Sequence, residues 1–133
     1  MIAVPRMKGV APAILIGIGL LHCAVGINQG WPTLTAIIRA GVWDSVEGAG
    51  ADVFLWFMTA GIFLIFLGQL GFWVERRLDS PLPAFLGWEV LLFTLVAGSA
   101  VGDLLFPAVL FFAAAIIILV RARGHARAAA LTN

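Results

Sequence analysis

The sequence predicts an all-α membrane protein, a four-transmembrane-helix bundle, from its composition, its four apolar runs and the placement of its basic residues. Of its 133 residues, 62% are hydrophobic and only 11% are charged. Soluble domains carry roughly 45–50% apolar and about 25% charged residues. A chain of this length has too much surface to hide so many apolar side chains from water. We therefore expect one integral membrane domain over residues 1–133, solvated mainly by lipid.

Four apolar runs define the predicted transmembrane helices, at residues 10–30, 53–74, 83–102 and 104–120. A helix needs roughly 20 residues to cross a hydrocarbon core about 30 Å thick, because each residue adds about 1.5 Å. Helices are preferred in lipid because they satisfy their own backbone polar groups. The turn near Asp103 is very short, and Pro107 suits a first helical turn, so the last two runs predict an antiparallel hairpin.

The connection between the first two runs predicts a short additional helix. Residues 33–40 can lie as a helix in the outer membrane interface, and Gly41 can end that helix. Residues 75–82, after the second run, are instead expected to form a charged loop.

The basic residues predict the orientation of the bundle. With four spans, seven of the eight Lys and Arg residues lie on the side that holds both termini, and only Arg39 lies opposite. Those seven are Arg6, Lys8, Arg76, Arg77, Arg121, Arg123 and Arg127. The positive-inside rule therefore places both termini in the cytoplasm. The last three arginines are expected to meet anionic lipid headgroups.

Tryptophan residues mark the expected membrane boundaries. Trp31, Trp43 and Trp56 fall near the outer boundary, whereas Trp73 and Trp88 fall near the inner one. This distribution is typical of the aromatic belts at the two membrane interfaces.

A cleaved signal peptide is the alternative interpretation of the first run. Arg6 and Lys8 precede it, and residues 24–26 resemble a cleavage site. The apolar run continues beyond Gly26, however, and His22 is too large for a lipoprotein motif ending at Cys23. We therefore interpret the run as a membrane span. Cys23 is the single cysteine, so it has no intrachain disulfide partner.

The few polar side chains inside the spans are the candidate functional residues, because ionisable groups are costly in lipid. The candidates for a ligand or proton site are Glu89, His22, Gln69, Ser99, Gln29 and Asp103. By depth, Gln69 matches Glu89 well, while His22 lies roughly 9 Å deeper than Glu89. Gln29 and Asp103 match each other at the outer rim. A purely structural role, with these side chains joining neighbouring helices, is the alternative.

Small residues predict where helices approach closely. The candidates for helix packing are Gly98, Gly102, Gly61, Gly68 and Gly26. Gly98 and Gly102 form a Gly-x-x-x-Gly pair on the third span, opposite Glu89. We expect no metal site, because zinc needs three or four converging ligands and the only other histidine, His125, lies in the tail. No cofactor is expected, and no motif indicates nucleic-acid binding.

Several short motifs resemble those of a known group of proteins. They are Leu21-His22 followed by Gly26 and Trp31, Trp56-Phe57 followed by Gly61, Gly68 before Trp73, and Pro83 followed by Leu86-Gly87-Trp88. Together they resemble a family of small uncharacterised four-helix bacterial inner-membrane proteins over roughly residues 15–110. The polar small residues of that family's fourth segment are missing here. The resemblance implies a bacterial inner-membrane bundle without an established activity. Length and helix count are also similar to those of DoxX-like small membrane proteins.

Three functions fit these features. The leading hypothesis is a non-enzymatic partner subunit of another membrane protein, or a binder of a small lipophilic molecule. A dimeric proton-coupled transporter is one alternative, since a single small bundle offers little room for a pathway. The other is a membrane-embedded acid–base isomerase or cyclase, which requires Glu89 and His22 to face one cavity. Expected partners are the bilayer, a second copy, another membrane protein or a small lipophilic molecule.

Overall fold

The computed structural model is all-α and describes residues 7–41, 48–101 and 105–132. Its five helices are α1 (Val10–Gln29), α2 (Trp31–Arg39), α3 (Ala49–Arg77), α4 (Ala84–Val101) and α5 (Leu105–Thr132). By length and composition, α1, α3 and α5 could each cross a membrane. Helix α4 contains a shorter apolar stretch, Ala84–Val96, among its described residues.

Two of the helices run well beyond the apolar segments that predicted them. Helix α3 continues to Arg77, so the expected charged loop begins only at Leu78. Helix α5 continues past Val120 to Thr132. Alanine and arginine, which make up most of this tail, are strong helix formers. Hydropathy identifies the part of a helix that lipid can solvate, whereas helix propensity allows the helix to extend beyond that part.

The short helix α2 lies between the first two long helices, as the sequence predicts, but it begins at Trp31 rather than at residue 33. Pro32 occupies its first turn, where a missing N–H costs no hydrogen bond. Its end is marked by Gly41, whose φ of 93° suits glycine and few other residues. The helix packs on both α1 and α3.

Helices α1 and α3 meet along a seam of glycines. A Cβ atom on Gly19 would lie 2.6 Å from the carbonyl oxygen of Gly61, and one on Gly68 would lie 2.7 Å from that of Pro12. At Gly26, a Cβ atom would instead meet the side chains of α3, with the Met58 sulfur at 2.7 Å. Because the two backbones approach this closely, the seam leaves no space for larger side chains at these positions.

The second pair of helices, α4 and α5, packs separately and is joined to the first pair through α1 and α5. At Gly87 a Cβ atom would lie 2.8 Å from Leu119 of α5. A small core of Ala11, Leu82 and Ile118 closes one end of the bundle. Within the described ranges, α3 and α4 do not pack on each other. One side of the bundle is therefore open.

The outer surface of the described helices is strongly apolar. Trp56 of α3 is 72% exposed, and Phe63, Trp73 and Trp88 are each more than half exposed. A soluble monomer rarely exposes apolar patches of this extent, whereas a lipid-facing surface requires them. These apolar helices identify the chain as a membrane protein.

Candidate functional site

The open side of the bundle forms a groove of about 770 Å³ between α3 and α4. All four long helices contribute to its walls, and most of the lining is aliphatic or aromatic. The lining residues are Ile18, Leu21, His22, Val25, Phe57, Ala60, Phe63, Leu64, Leu67, Leu86, Glu89, Val90, Phe93, Thr94, Ala108 and Phe111. We call this feature the α3–α4 groove. Its volume falls in the range of small-molecule sites in proteins.

Only three polar side chains, those of His22, Glu89 and Thr94, line the α3–α4 groove. Glu89 lies on the exposed, groove-facing side of α4, while Gly87 packs against α5. Among the described residues, no Lys, Arg or His forms an ion pair with Glu89. The groove therefore contains a carboxyl group that the protein itself leaves unpaired in the part of the chain described.

His22 is held at the groove by the close approach of α1 and α3. Its imidazole stacks on the ring of Phe57, with centroids 3.7 Å apart and an angle of 15° between the planes. The Nε2 atom is buried, and no described group forms a hydrogen bond with it. Buried polar atoms normally have a partner. The imidazole thus contributes to the groove lining, while its Nε2 atom is covered by the surrounding side chains.

Thr94 is buried in α4, and its hydroxyl donates a hydrogen bond to the carbonyl of Val90 at 2.7 Å. The hydroxyl oxygen can still accept a hydrogen bond from the groove. Near it, the rings of Phe93 and Phe111 meet edge to face with centroids 5.7 Å apart. Thr94 follows Glu89 by five residues on one helix, so its Cα lies roughly 7.5 Å further along the axis.

The groove brings together some of the residues singled out from the sequence and leaves out others. His22 and Glu89 line it together, whereas Gln69 is exposed on α3 outside it. Depth along the helices favoured Gln69 as the neighbour of Glu89, but depth alone does not give the direction in which a side chain points. Gln29 is exposed at the end of α1.

Four other predicted residues lie at or beyond the end of α4. Gly98 and Ser99 belong to that helix, but their side-chain surroundings are outside the described part of the chain. Gly102 and Asp103 lie outside the described residues altogether. The predicted pairing of Gln29 with Asp103 therefore stays a prediction.

A second polar cluster, which the sequence does not predict, lies at the end of the bundle where α1 begins. Glu75 is only 3% exposed, and its carboxylate accepts hydrogen bonds from the guanidinium of Arg121 and the backbone N–H of Gly9. Arg121 also donates to the carbonyl oxygen of Met7 at 3.4 Å. The first of the three tail arginines thus lies inside the bundle, where it pairs with Glu75 rather than with a headgroup. We call this cluster the Glu75 clamp.

A helical spacing in the sequence could have revealed the Glu75 clamp. Glu75 follows Gly68 by seven residues and Gly71 by four, which places all three on one face of α3. The two glycines pack against Pro12 of α1. A carboxylate on a glycine-rich packing face must be buried, and buried charges need a partner.

Beside this clamp, Lys8 and Asp79 form a surface ion pair. The hydrogen bond and the positive charge of Lys8 lower the pKa of the Asp79 carboxyl below its ordinary value of 3.8. Asp79 has a φ of 48°, a conformation that aspartate tolerates better than most residues. The pair connects the start of α1 to the loop that follows α3.

Within the described ranges, no three His, Cys, Asp or Glu side chains converge as metal ligands would. Cys23 lies in the α1–α3 seam, where its sulfur is 3.9 Å from the carbonyl oxygen of Met58. The groove is therefore the described feature best suited to hold a ligand.

Comparison with known protein families assigns the chain to a family of unknown function. The model of a family of unknown function, DUF6463, matches residues 6–125, so the chain belongs to that family. The sequence-based expectation of an uncharacterised family is confirmed, and no similarity to DoxX-like proteins was found. No curated protein and no solved structure gave a significant match.

Proposed function

We propose that this DUF6463 member is a four-span protein of the bacterial inner membrane that binds a small lipophilic molecule in the α3–α4 groove. The observation that carries the proposal is an apolar groove of about 770 Å³, open between two helices, with the Glu89 carboxyl group on its wall and no described ion-pair partner for it. Lipophilic molecules dissolved in the bilayer would reach such a site from the side. A bound molecule would fill the α3–α4 groove, whereas the glycine-packed seam between α1 and α3 leaves no comparable space.

The arrangement of the helices supports counting α4 as the fourth span. The Glu75 clamp joins the start of α1, the end of α3 and a turn just past the middle of α5 at one end of the bundle. The long helices therefore alternate in direction. The basic residues collect at that same end, which favours a cytoplasmic location for it and for both termini. Arg123 and Arg127 extend past the clamp on exposed turns of α5, toward the headgroup region.

Cysteine accessibility in intact cells tests this topology. In a Cys23→Ser background, Ala40→Cys would report the α2 end of the bundle and Leu78→Cys the clamp end, since both positions are exposed. We expect a membrane-impermeant maleimide to label Ala40→Cys in intact cells and Leu78→Cys only after permeabilisation. The reverse pattern would refute the cytoplasmic placement of the termini.

Filling the groove tests the binding proposal. Ala60 and Ala108 line the groove from α3 and α5, so Ala60→Phe and Ala108→Phe would occupy part of its volume. Ala13 is exposed on α1 outside the lining, and Ala13→Phe is the matched control. The probe is a neutral lipophilic aryl diazirine, photolysed with the purified protein in lipid nanodiscs.

We expect saturable labelling of groove residues in the native protein and in Ala13→Phe, and its loss in both groove-filling variants. Peptide mass spectrometry separates this component from unsaturable labelling of the lipid-facing surface. Labelling that never saturates, or that survives both groove-filling substitutions, would refute binding in the α3–α4 groove.

Acid–base catalysis is the second candidate function, favoured by one observation: His22 and Glu89 line the same groove. A carboxyl and an imidazole in one apolar pocket can exchange protons with a bound substrate. The test is deuterium uptake from heavy water into the α-carbon of a bicyclic ketone in nanodiscs. Exchange that is faster than in empty nanodiscs and is lost in Glu89→Gln would support catalysis. An absence of acceleration would refute catalysis and leave the binding proposal unaffected.

A further inference from the structure

We propose that the ligand of the α3–α4 groove is a lipophilic cation, whose positive nitrogen pairs with Glu89. This inference rests on the proposed function, since it requires that the groove binds a small molecule. It goes further by naming the chemical class that the groove would select from the many apolar molecules dissolved in a membrane.

The charge of the groove wall carries the first step. An ionisable side chain inside a membrane protein normally pairs with another group or faces a cavity. Glu89 faces the groove, and none of the described residues forms an ion pair with it. The described lining contains no Lys or Arg, and His22 is its sole basic side chain. The partner that suits the Glu89 carboxylate is therefore a cation brought by the ligand.

The aromatic side chains of the groove carry the second step. Phe57, Phe63, Phe93 and Phe111 line it from three helices. The face of an aromatic ring attracts a positive charge as well as apolar groups. Alkylated ammonium groups combine both properties, because their charge is spread under a methyl surface. A carboxylate that lines one groove with several rings is thus chemically matched to a tertiary or quaternary amine with an apolar body.

The positions of the polar groups predict how such a ligand lies. Glu89 is near the clamp end of α4, and Thr94 is roughly 7.5 Å further from that end. His22 is twelve residues into α1 from Val10, or roughly 18 Å along its axis. The nitrogen would therefore lie toward the clamp end, with the apolar body among the rings above it.

A matched pair of ligands tests the charge preference. The cationic probe is a phenylalkyl trimethylammonium ion, and the neutral probe carries a tert-butyl group of the same shape in its place. Both are radiolabelled and bound to the full-length protein in nanodiscs of phosphatidylcholine, whose zwitterionic surface does not concentrate cations. The measured quantity is the ratio of the saturable affinities for the two probes.

We expect the native protein to bind the cation about tenfold more tightly than the neutral probe, which corresponds to about 1.4 kcal/mol. Glu89→Gln should lower that ratio to about one while the neutral probe binds as before. Asp52→Asn is the control, because it removes one carboxylate from α3 outside the groove lining and should leave the ratio unchanged. Unaltered binding of the neutral probe also shows that the Glu89 variant is folded.

The outcomes separate this inference from the proposed function. Equal binding of both probes by the native protein, or a cation preference that persists in Glu89→Gln, would overturn the cation inference and leave groove binding standing. An absence of saturable binding for either probe would overturn both.

Discussion

Two glutamates on consecutive apolar helices of this protein, α3 and α4, have opposite surroundings. Glu75 of α3 is almost fully buried, and its carboxylate has partners from α1 and α5. Glu89 of α4 lies on the groove, where no described residue forms an ion pair with it. The difference arises because α3 packs tightly on α1, whereas α3 and α4 leave a gap. A carboxyl group at a closed seam stabilises the fold, and one at an open seam is free to recognise a ligand.

Removing each carboxylate in turn should give the largest contrast. Glu75→Leu leaves the Arg121 charge and the Gly9 N–H without their acceptor, and we expect it to lower the free energy of unfolding by about 3–5 kcal/mol. Glu89→Leu breaks no described ion pair, so its effect should stay below about 0.5 kcal/mol. Reversible unfolding in mixed detergent micelles measures both.

A double substitution sharpens this comparison. Replacing both members of the pair, as Glu75→Met with Arg121→Met, removes the uncompensated charge, and we expect less destabilisation than in either single variant. Equal stability of Glu75→Leu and Glu89→Leu would show that the Glu75 clamp contributes nothing to the fold.

The glycines of the closed seam should give the next largest effect. In Gly19→Ala the new Cβ would lie 2.6 Å from the Gly61 carbonyl oxygen, so the helices must separate, at a cost of about 1–3 kcal/mol. Gly17, two residues earlier, has open space around it. Gly17→Ala should therefore be neutral or stabilising, by about 0.5–1 kcal/mol. A larger loss of stability in Gly17→Ala than in Gly19→Ala, measured by thermal unfolding in detergent, would contradict this description of the seam.

The surface pair beside the clamp should give the smallest effect. Lys8 lowers the pKa of Asp79, so the contribution of the pair is present above the ordinary carboxyl pKa and is lost as the pH falls through the lowered value. Lys8→Met should raise the Asp79 pKa toward its ordinary value, as followed by a carbon-13 NMR titration of the carboxyl group. Because the pair is exposed, the thermal midpoint at neutral pH should not change measurably. An unchanged Asp79 pKa in that variant would show that the two side chains do not interact.

The sequence predicted part of the candidate site. Residue type and position along a helix could be read from it, but the direction of a side chain could not. His22 and Glu89 stood out because ionisable side chains are rare in apolar helices, and both line the groove. The sequence places Glu75 in a charged loop over residues 75–82, whereas α3 continues through it to Arg77. Depth matches Gln69 to Glu89, but Gln69 is exposed and is not part of the groove lining. Position along a helix can be counted, whereas the direction of a side chain relative to other helices cannot.

The sequence by itself determined the helical class, the apolar segments and the polar residues worth attention, because these follow from composition and from the chemistry of a backbone in lipid. Tertiary structure alone decided which helices pack against each other and which remain apart. Glycine contacts close the α1–α3 seam to backbone distance, while α3 and α4 make no such contact in the described ranges. That choice depends on how the surfaces of four helices fit together, so it made one glutamate a structural clamp and left the other facing an open groove.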